Sequence, residues 1–464
     1  MRYSMLLFLA IIGIACAGGN HAGSVTVAAA AVDDLQTQSP TTTVQSFTAV
    51  EGADLMARLE AAQSRARAKQ TPYWSAYSFD VRPGVAVDPA IREFNGNMQT
   101  IGETTVFVGT NAAGVTVETR NLAIFLLRDP SSNQITRMEV FNLERKREYS
   151  GYPVYWLGRA NNEESLNYLR AIAAATPLDM MSERAVLAIA LHDDARVGGM
   201  LKNFITSSPN PRIRSTSVYW LGQVGGEQAF LASLVRNDAE DKKIRRSAAH
   251  AIGQSRDRGT VATLKDLYET VKDVEVRRSV ISAVGNSIDE QPAFAFLLNI
   301  AKTDADPESR RTAVRQLGHF AREDAVDEVM KIYANDTNIE VKRSALRSLA
   351  ETKSPRAEDK LFEVAKGNDV MEVRREAIRL LGERVSKRSF EFLSQTAQST
   401  DANTDVQVQA VRAISERKAE ESVPLLIKIA RTHPNQLVRK QAIRSLGESG
   451  DPRAVDFFRE VLAK

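Results

Sequence analysis

Residues 341–350 read VKRSALRSLA, and the same ten-residue pattern returns as VRRSVISAVG at 276–285, VRREAIRLLG at 373–382 and VRKQAIRSLG at 438–447. With the first residue of each unit as an anchor, anchors fall at 181, 213, 244, 276, 309, 341, 373, 406 and 438, a spacing of 31 to 33 residues. A period of that length marks a stack of like supersecondary units rather than independent domains. A weaker tenth unit is placed near 149, because VYWLG occurs at both 154–158 and 218–222.

Each column of the unit has a physical role. Four past the anchor stand Ala185, Ala248, Ala313, Ala345, Ala377, Ala410 and Ala442, small enough for close helix approach. Eight past it stand Leu221, Ile252, Val284, Leu317, Leu349, Leu381, Ile414 and Leu446, which completes one apolar stripe at helical period. Three before it are the helix-capping residues Asn210, Asp241, Asp273, Asp306, Asn338, Asn403 and Asn435, and Pro follows at 211 and 307. Gly222, Gly253, Gly285, Gly318, Gly382 and Gly447 read as helix stops. A second apolar helix, such as 326–333 or 423–430, lies between these. The unit is a helical hairpin that must stack on neighbours to bury its stripe.

The pattern V-R-x-x-A-x-x-x-L-G over 181–464 resembles HEAT-like repeats of the short bilin-lyase type. That resemblance implies a right-handed α-solenoid, here preceded by a small antiparallel β-containing domain, so the fold class is mainly α. The family consists mostly of binding scaffolds, with bilin lyases and an iron-dependent deoxyhypusine hydroxylase among its members. The hydroxylase resemblance implies paired His-Glu dipeptides as iron ligands. The five histidines occur instead as His21-Ala22, His192-Asp193, His250-Ala251, His319-Phe320 and His433-Pro434. No nucleophile elbow, phosphate loop or zinc-helix signature is present, so no catalytic residue, metal ligand or cofactor is assigned.

Within the anchor helix, the sixth residue past the anchor points away from the stripe. This column runs Tyr155, Leu187, Tyr219, His250, Ser282, Arg315, Arg347, Arg379, Arg412, Arg444, and the column two past the anchor is also basic at Arg246, Arg278, Arg311, Arg343, Arg375 and Lys440. Glu351, Glu383, Glu416 and Glu448 each follow an arginine of the ladder by four residues. Two readings stay open: a structural charge ladder, or a concave face that binds a protein partner with an acidic surface or segment. The candidate contact residues are Tyr219, His250, Arg315, Arg347, Arg379, Arg412 and Arg444. The totals, 61 basic against 58 acidic residues, give a net charge of +3 and do not imply nucleic-acid binding.

The first residues read as an address. Met1-Arg2 precedes the apolar run Met5–Ile14, and Ala15-Cys16-Ala17 forms a cleavage pattern, as in a secretory signal peptide over 1–17. Cys16 also admits lipidation, as in a bacterial lipoprotein. Either route implies an exported protein, periplasmic or secreted or membrane-anchored, and no other stretch is apolar enough to span a bilayer. Residues 18–50 read as a flexible tether, 51–148 as the small α+β domain and 149–464 as nine or ten repeats. Strands are expected from Tyr73 and at 104–108, 115–119, 122–127 and 135–143, and Tyr73-Trp74 reads as core rather than a ligand platform. The helix at 452–463 is expected to cap the C-terminal end. The reading is a non-enzymatic scaffold; the alternatives are a lyase- or hydroxylase-like enzyme subunit and a binder of an anionic envelope polymer.

Overall fold

The computed structural model describes residues 47–463 apart from 90–93, 112, 176–179, 321, 353 and 400–402. The expected export segment, Cys16 and most of the tether lie outside the described residues. The front region begins with β1 (Thr48–Ala49) and α1 (Leu55–Arg67), whose N-cap Asp54 accepts a bond from the Ala57 amide. Then follow β2 (Tyr73–Ser78), β3 (Ala86–Val87), β4 (Phe94–Ile101), β5 (Thr104–Asn111), β6 (Leu122–Arg128), β7 (Ile135–Asn142), β8 (Val154–Arg159) and α2 (Asn162–Ala175).

These strands form two sheets, one of order β1-β8-β2-β6-β7 and one of order β3-β5-β4. The smaller is antiparallel, but the larger is mixed, since β8 runs parallel to both β1 and β2. That departs from a purely antiparallel sheet, and the cause is VYWLG at 154–158. The pentapeptide is helical at 218–222 and a strand at 154–158, so no tenth hairpin begins near 149. Three aromatic or β-branched residues in five suit a strand as well as a helix, and tertiary context decides. Residues 115–119 make only an isolated bridge, Thr110 to Thr116. One face of the larger sheet buries Tyr73, Tyr77 and Tyr155 against helices; the other buries Trp74, Phe125, Phe141 and Tyr149 as an aromatic cluster. Tyr73 and Trp74 are core residues.

The array begins with α3 (Met180–Ala190). The anchor helices are α3, α5 (Pro211–Val224), α7 (Lys242–Gln254), α9 (Val274–Val284), α11 (Pro307–Leu317), α13 (Ile339–Glu351), α15 (Met371–Glu383), α17 (Thr404–Ser415) and α19 (Gln436–Glu448). Between them run α4 (Arg196–Ser207), α6 (Gln228–Arg236), α8 (Thr260–Thr270), α10 (Glu290–Thr303), α12 (Glu323–Asn335), α14 (Pro355–Lys366), α16 (Lys387–Gln398) and α18 (Ala419–Thr432), and α20 (Pro452–Leu462) follows α19. All seven expected cap side chains accept backbone amide bonds; Asn338, for example, takes those of Glu340 and Val341. Among the described residues only Val370, at the start of α15, stands in that column without a side-chain bond.

Consecutive anchor helices pack closely on one another, while consecutive intervening helices touch far less. The anchor helices therefore form the inner row of the curve. The glycines make this possible. Gly285 and Gly318 stand as expected at the C-caps of α9 and α11, in right-handed conformation, whereas Gly222, Gly253, Gly382 and Gly447 are not stops but lie inside their helices. A Cβ on Gly253 would stand 2.1 Å from the Ala283 carbonyl oxygen, and one on Gly382 would stand 2.8 Å from the Ala413 Cβ. Each of these glycines except Gly447 is a notch into which the next inner helix fits.

The two ends of the array differ. At the front, α3 is buried from Ala185 to Ala190, and the Arg184 guanidinium reaches the Met138 carbonyl (2.9 Å) and Glu139 (3.2 Å) on β7. The Asp193 amide bonds to Asp80 O at 2.8 Å, and the His192 ring stacks on Phe79 with centroids 4.2 Å apart. From β4, the Asn97 side chain donates to Gln223 on α5 (3.2 Å) and to the Gln254 carbonyl of α7 (3.0 Å). At the other end α20 follows α19 with Ala454 and Phe457 buried and with Arg453, Asp456, Arg459 and Glu460 exposed. Val455, Val461 and Leu462 are exposed along it, and Leu437 and Ile443 are exposed on α19.

Candidate functional site

The inner row carries the two basic columns read from the sequence, and the geometry divides them. At their centre is Glu376 on α15, only 4% exposed, which accepts from Arg347 Nε at 2.7 Å and from Arg379 at 2.7 Å. Arg343 adds a third contact at 3.2 Å. Burial works against the charged form of Glu376, but the Arg347 and Arg379 guanidiniums outweigh it and hold its pKa down at about 2. Arg379 also pairs with Glu383, and Arg444 Nε reaches Glu448 at 2.9 Å. Glu351 does not pair with Arg347; it lies 3.7 Å from His319 Nδ1.

In the second column, Arg278 meets Asp306 (3.3 Å), Arg311 meets Glu308 (2.5 Å), Arg343 meets Glu340 (2.7 Å) and Arg375 meets Asp405 (2.5 Å). Arg246 donates to Ser279 Oγ at 3.1 Å, and Arg412 to Gln441 Oε1 at 3.3 Å. A rule emerges: basic side chains of one inner helix lean on the residue three past the anchor in the next. That residue is Ser279, Glu376 or Gln441 in the repeats concerned. Opposite Arg315 it is Ser344, whose hydroxyl bonds instead to the Arg311 carbonyl at 3.2 Å. Arg315 is exposed and has no polar partner among the described residues, and Arg412 is exposed with no carboxylate partner among them.

The front of the expected face is closed. Tyr155 is in β8 and Leu187 is buried. Tyr219 is half-buried beside Arg82; burial pushes its pKa up to about 12, which the Arg82 charge opposes. His250 is partly buried, and burial, then the neighbouring Arg246, lower its pKa. The open stretch of the inner face thus runs from His250 toward Arg444.

One column escaped the sequence reading. The residue after the anchor, Arg214, Arg245, Arg310 or Arg439, turns back to the carbonyl ends of the preceding helix: Arg214 Nε to Ile205 O at 2.6 Å, Arg245 Nε to Val235 O at 2.9 Å, Arg439 Nη1 to His433 O at 2.6 Å. Arg310 also makes a two-point pair with Asp336, at 2.7 and 3.1 Å. The constancy of Arg in the V-R dipeptide was the available signal. Among the described residues no group of three or more His, Cys, Asp or Glu side chains is placed to hold a metal ion. No helix among them is long and apolar enough to cross a membrane.

The family model for HEAT repeats matches residues 294–382 and 390–464. Over those residues the array is built of HEAT repeats. No curated protein sequence matches the chain. Among solved structures, human deoxyhypusine hydroxylase in complex with glycerol is 15% identical, with 62% of this chain and 96% of that one covered at a TM-score of 0.27. The CpcE–CpcF complex of phycocyanin lyase from Nostoc sp. PCC7120 is 19% identical over 54% of this chain and 93% of that one, with a TM-score of 0.28. Kap95p, in a structure with RanGDP, is 10% identical at a TM-score of 0.39; 64% of this chain matches 49% of that one. None of these likenesses bears on activity.

Proposed function

We propose that this HEAT-repeat chain is a non-enzymatic scaffold, acting outside the cytoplasm, whose inner face binds an acidic segment of a protein partner. The observation that carries the reading is the unequal neutralisation of the arginine columns. Arg347, Arg379 and Arg444 are held by carboxylates of the chain itself. Arg315 and Arg412 stand exposed on the same face without a carboxylate. An exposed guanidinium with unused donors is suited to a carboxylate from outside. Export, whether by cleavage after residue 17 or with a lipid at Cys16, rests on the sequence of the first residues alone.

The test is fluorescence anisotropy with a labelled oligo-glutamate peptide at two salt concentrations. Binding is expected to weaken with salt and to fall about 10-fold when Arg315 and Arg412 are both changed to Ala, two exposed ion pairs at the upper end of their range. Ser344→Glu should act likewise, by giving Arg315 an internal carboxylate of the kind Glu376 gives Arg347. Peptide binding indifferent to all three changes sinks the reading. Retention of a sulfated polysaccharide but not of the peptide favours the envelope-polymer alternative.

A further inference from the structure

The closed end of the inner face collects hydrogen-bond donors that have no acceptor. Gln223 on α5 is 8% exposed, and its Nε2 is buried without a hydrogen-bond partner among the described residues. Its orientation is fixed. Asn97 Nδ2 donates to the Gln254 carbonyl at 3.0 Å and to Gln223 Oε1 at 3.2 Å, so Nε2 is the end left over. Tyr219 stands one turn back on the same face of α5. Arg82 reaches this place from the front region, its amide held by the Leu191 carbonyl at 2.9 Å, and its buried Nε also lacks a partner among the described residues. Burial pushes its pKa down to about 10; Tyr219 opposes that shift, the Arg256 charge adds to it, and no carboxylate acts on it. Arg256, exposed just past α7, has no ion pair among the described residues, and the neighbouring Asp257 carboxylate turns to the Gly226 amide at 2.9 Å. A guanidinium does not discharge at neutral pH, so a buried one without a counter-ion carries a cost that an anion from outside removes.

We propose that Arg82, Tyr219, Gln223 and Arg256 form a carboxylate site that receives the free C-terminus of the segment bound on the inner face. The inference rests on the reading of that face as the seat of an acidic segment. Two observations select a chain end over a side chain. The front region walls off the inner face here, with Asn97 of β4 laid across α5 and α7 and Arg184 of α3 tied to β7. An extended segment running from Arg412 past Arg315 to His250 therefore stops at this wall. The wall carries two guanidiniums without carboxylates, which repel an α-ammonium group, so the end that stops there is the carboxyl end. A carboxylate has two oxygens with about four lone-pair sites, enough for the guanidinium, amide and phenol donors together. The bound segment then has one polarity, with its C-terminus at the front region and its chain leading away toward Arg444.

The test is fluorescence anisotropy of an N-terminally labelled oligo-glutamate peptide, as the free acid and as the C-terminal amide, on the full chain. The acid is expected to bind about 10-fold or more tightly, the worth of a hydrogen-bonded charge. Arg82→Met with Arg256→Gln should erase that difference. Arg315→Ala with Arg412→Ala should weaken both peptides alike and keep it. Equal binding of acid and amide to the parent overturns the terminal site and leaves the inner-face reading standing; so does a preference for the acid that survives Arg82→Met with Arg256→Gln. A second measurement needs no peptide. Sodium acetate in place of chloride, at constant ionic strength, should raise the melting temperature of the parent more than that of Arg82→Met, and equal rises overturn the site. Stabilisation by acetate without binding of either peptide refutes the inner-face reading and the terminal assignment together, and leaves a site for a small free carboxylate. Arg82→Met keeps the apolar stem and removes a buried charge, so the urea midpoint should not fall. A lowered midpoint makes Arg82 a structural residue and overturns the proposal.

Discussion

Glu376 on α15 accepts from Arg347 on α13 at 2.7 Å, and the bond fastens one repeat to the next at the middle of the inner row. A buried carboxylate needs such partners, and these guanidiniums supply hydrogen bonds as well as charge. Changing Arg343, Arg347 and Arg379 together to Ala should destabilise the chain by about 3–5 kcal/mol, because a buried charge loses its partners. Changing Arg315 to Ala should shift the urea midpoint hardly at all. Equal midpoints for the two variants would refute this division of the ladder.

Acid should act in two windows. Burial lowers His192 to about 4, against the pull of the Ala188 carbonyl it bonds at 2.7 Å. Its folded pKa lies below the unfolded value near 6.5, so the unfolded chain binds the extra proton. Stability should fall by up to about 1.4 kcal/mol per pH unit from pH 6.5 toward 4, then level off for this group. His192→Gln should flatten that slope in urea titrations at fixed pH.

Glu376 acts lower and with the same sign, since the fold again favours the deprotonated form. Its folded pKa of about 2 lies below the ordinary carboxylate value of 4.5, so its contribution is complete above pH 4.5 and drains away from there toward pH 2. Glu376→Gln should already be destabilised at neutral pH and should lose this second acid step. A second step of wild-type size in that variant contradicts the assignment.

The glycine notches predict opposite signs for one substitution. Gly253→Ala forces a methyl toward the Ala283 carbonyl at 2.1 Å and should cost about 1–3 kcal/mol through overpacking. Gly447→Ala meets nothing and should be neutral or stabilise by up to about 1 kcal/mol, through helix propensity. Thermal melts of the two variants decide it.

Capping offers a gain at one repeat. Val370 starts α15 without a side-chain bond, where Asn338 starts α13 with two. Val370→Asn should stabilise by about 1 kcal/mol, and Asn338→Ala should cost about as much. Chemical denaturation of both against the parent measures it.

The array was legible because its period multiplies weak signals. One Asn before one helix says little, but seven at a fixed offset from seven anchors locate the caps. The glycines were legible as positions, and Gly285 and Gly318 as stops, but the other four lie inside their helices; a notch is a property of the helix that enters it. VYWLG misled for the same reason: at 154 it meets β1 and β2, and at 218 it meets a helical neighbour. Strand β4 went unread because Asn95, Gly96 and Asn97 are poor strand formers, and its pairing with β5 compensates. Of the candidate site, the arginine columns were visible and their neutralisation was not. Glu376 follows Ser279, Thr312 and Ser344 in a column of short side chains, and that break in pattern was the clue.

The two rows of helices also differ as a mechanical element. The inner helices are seated in one another's notches, and the outer ones touch little. A change of curvature will therefore be taken up by gaps on the outer side, with the inner row serving as a spine of nearly constant length. The guanidiniums of Arg315 and Arg412, three repeats apart on that spine, keep their separation while the rest bends. A partner laid along them is measured against a fixed ruler, so the length of an acidic segment, and not only its charge, should decide whether it fits.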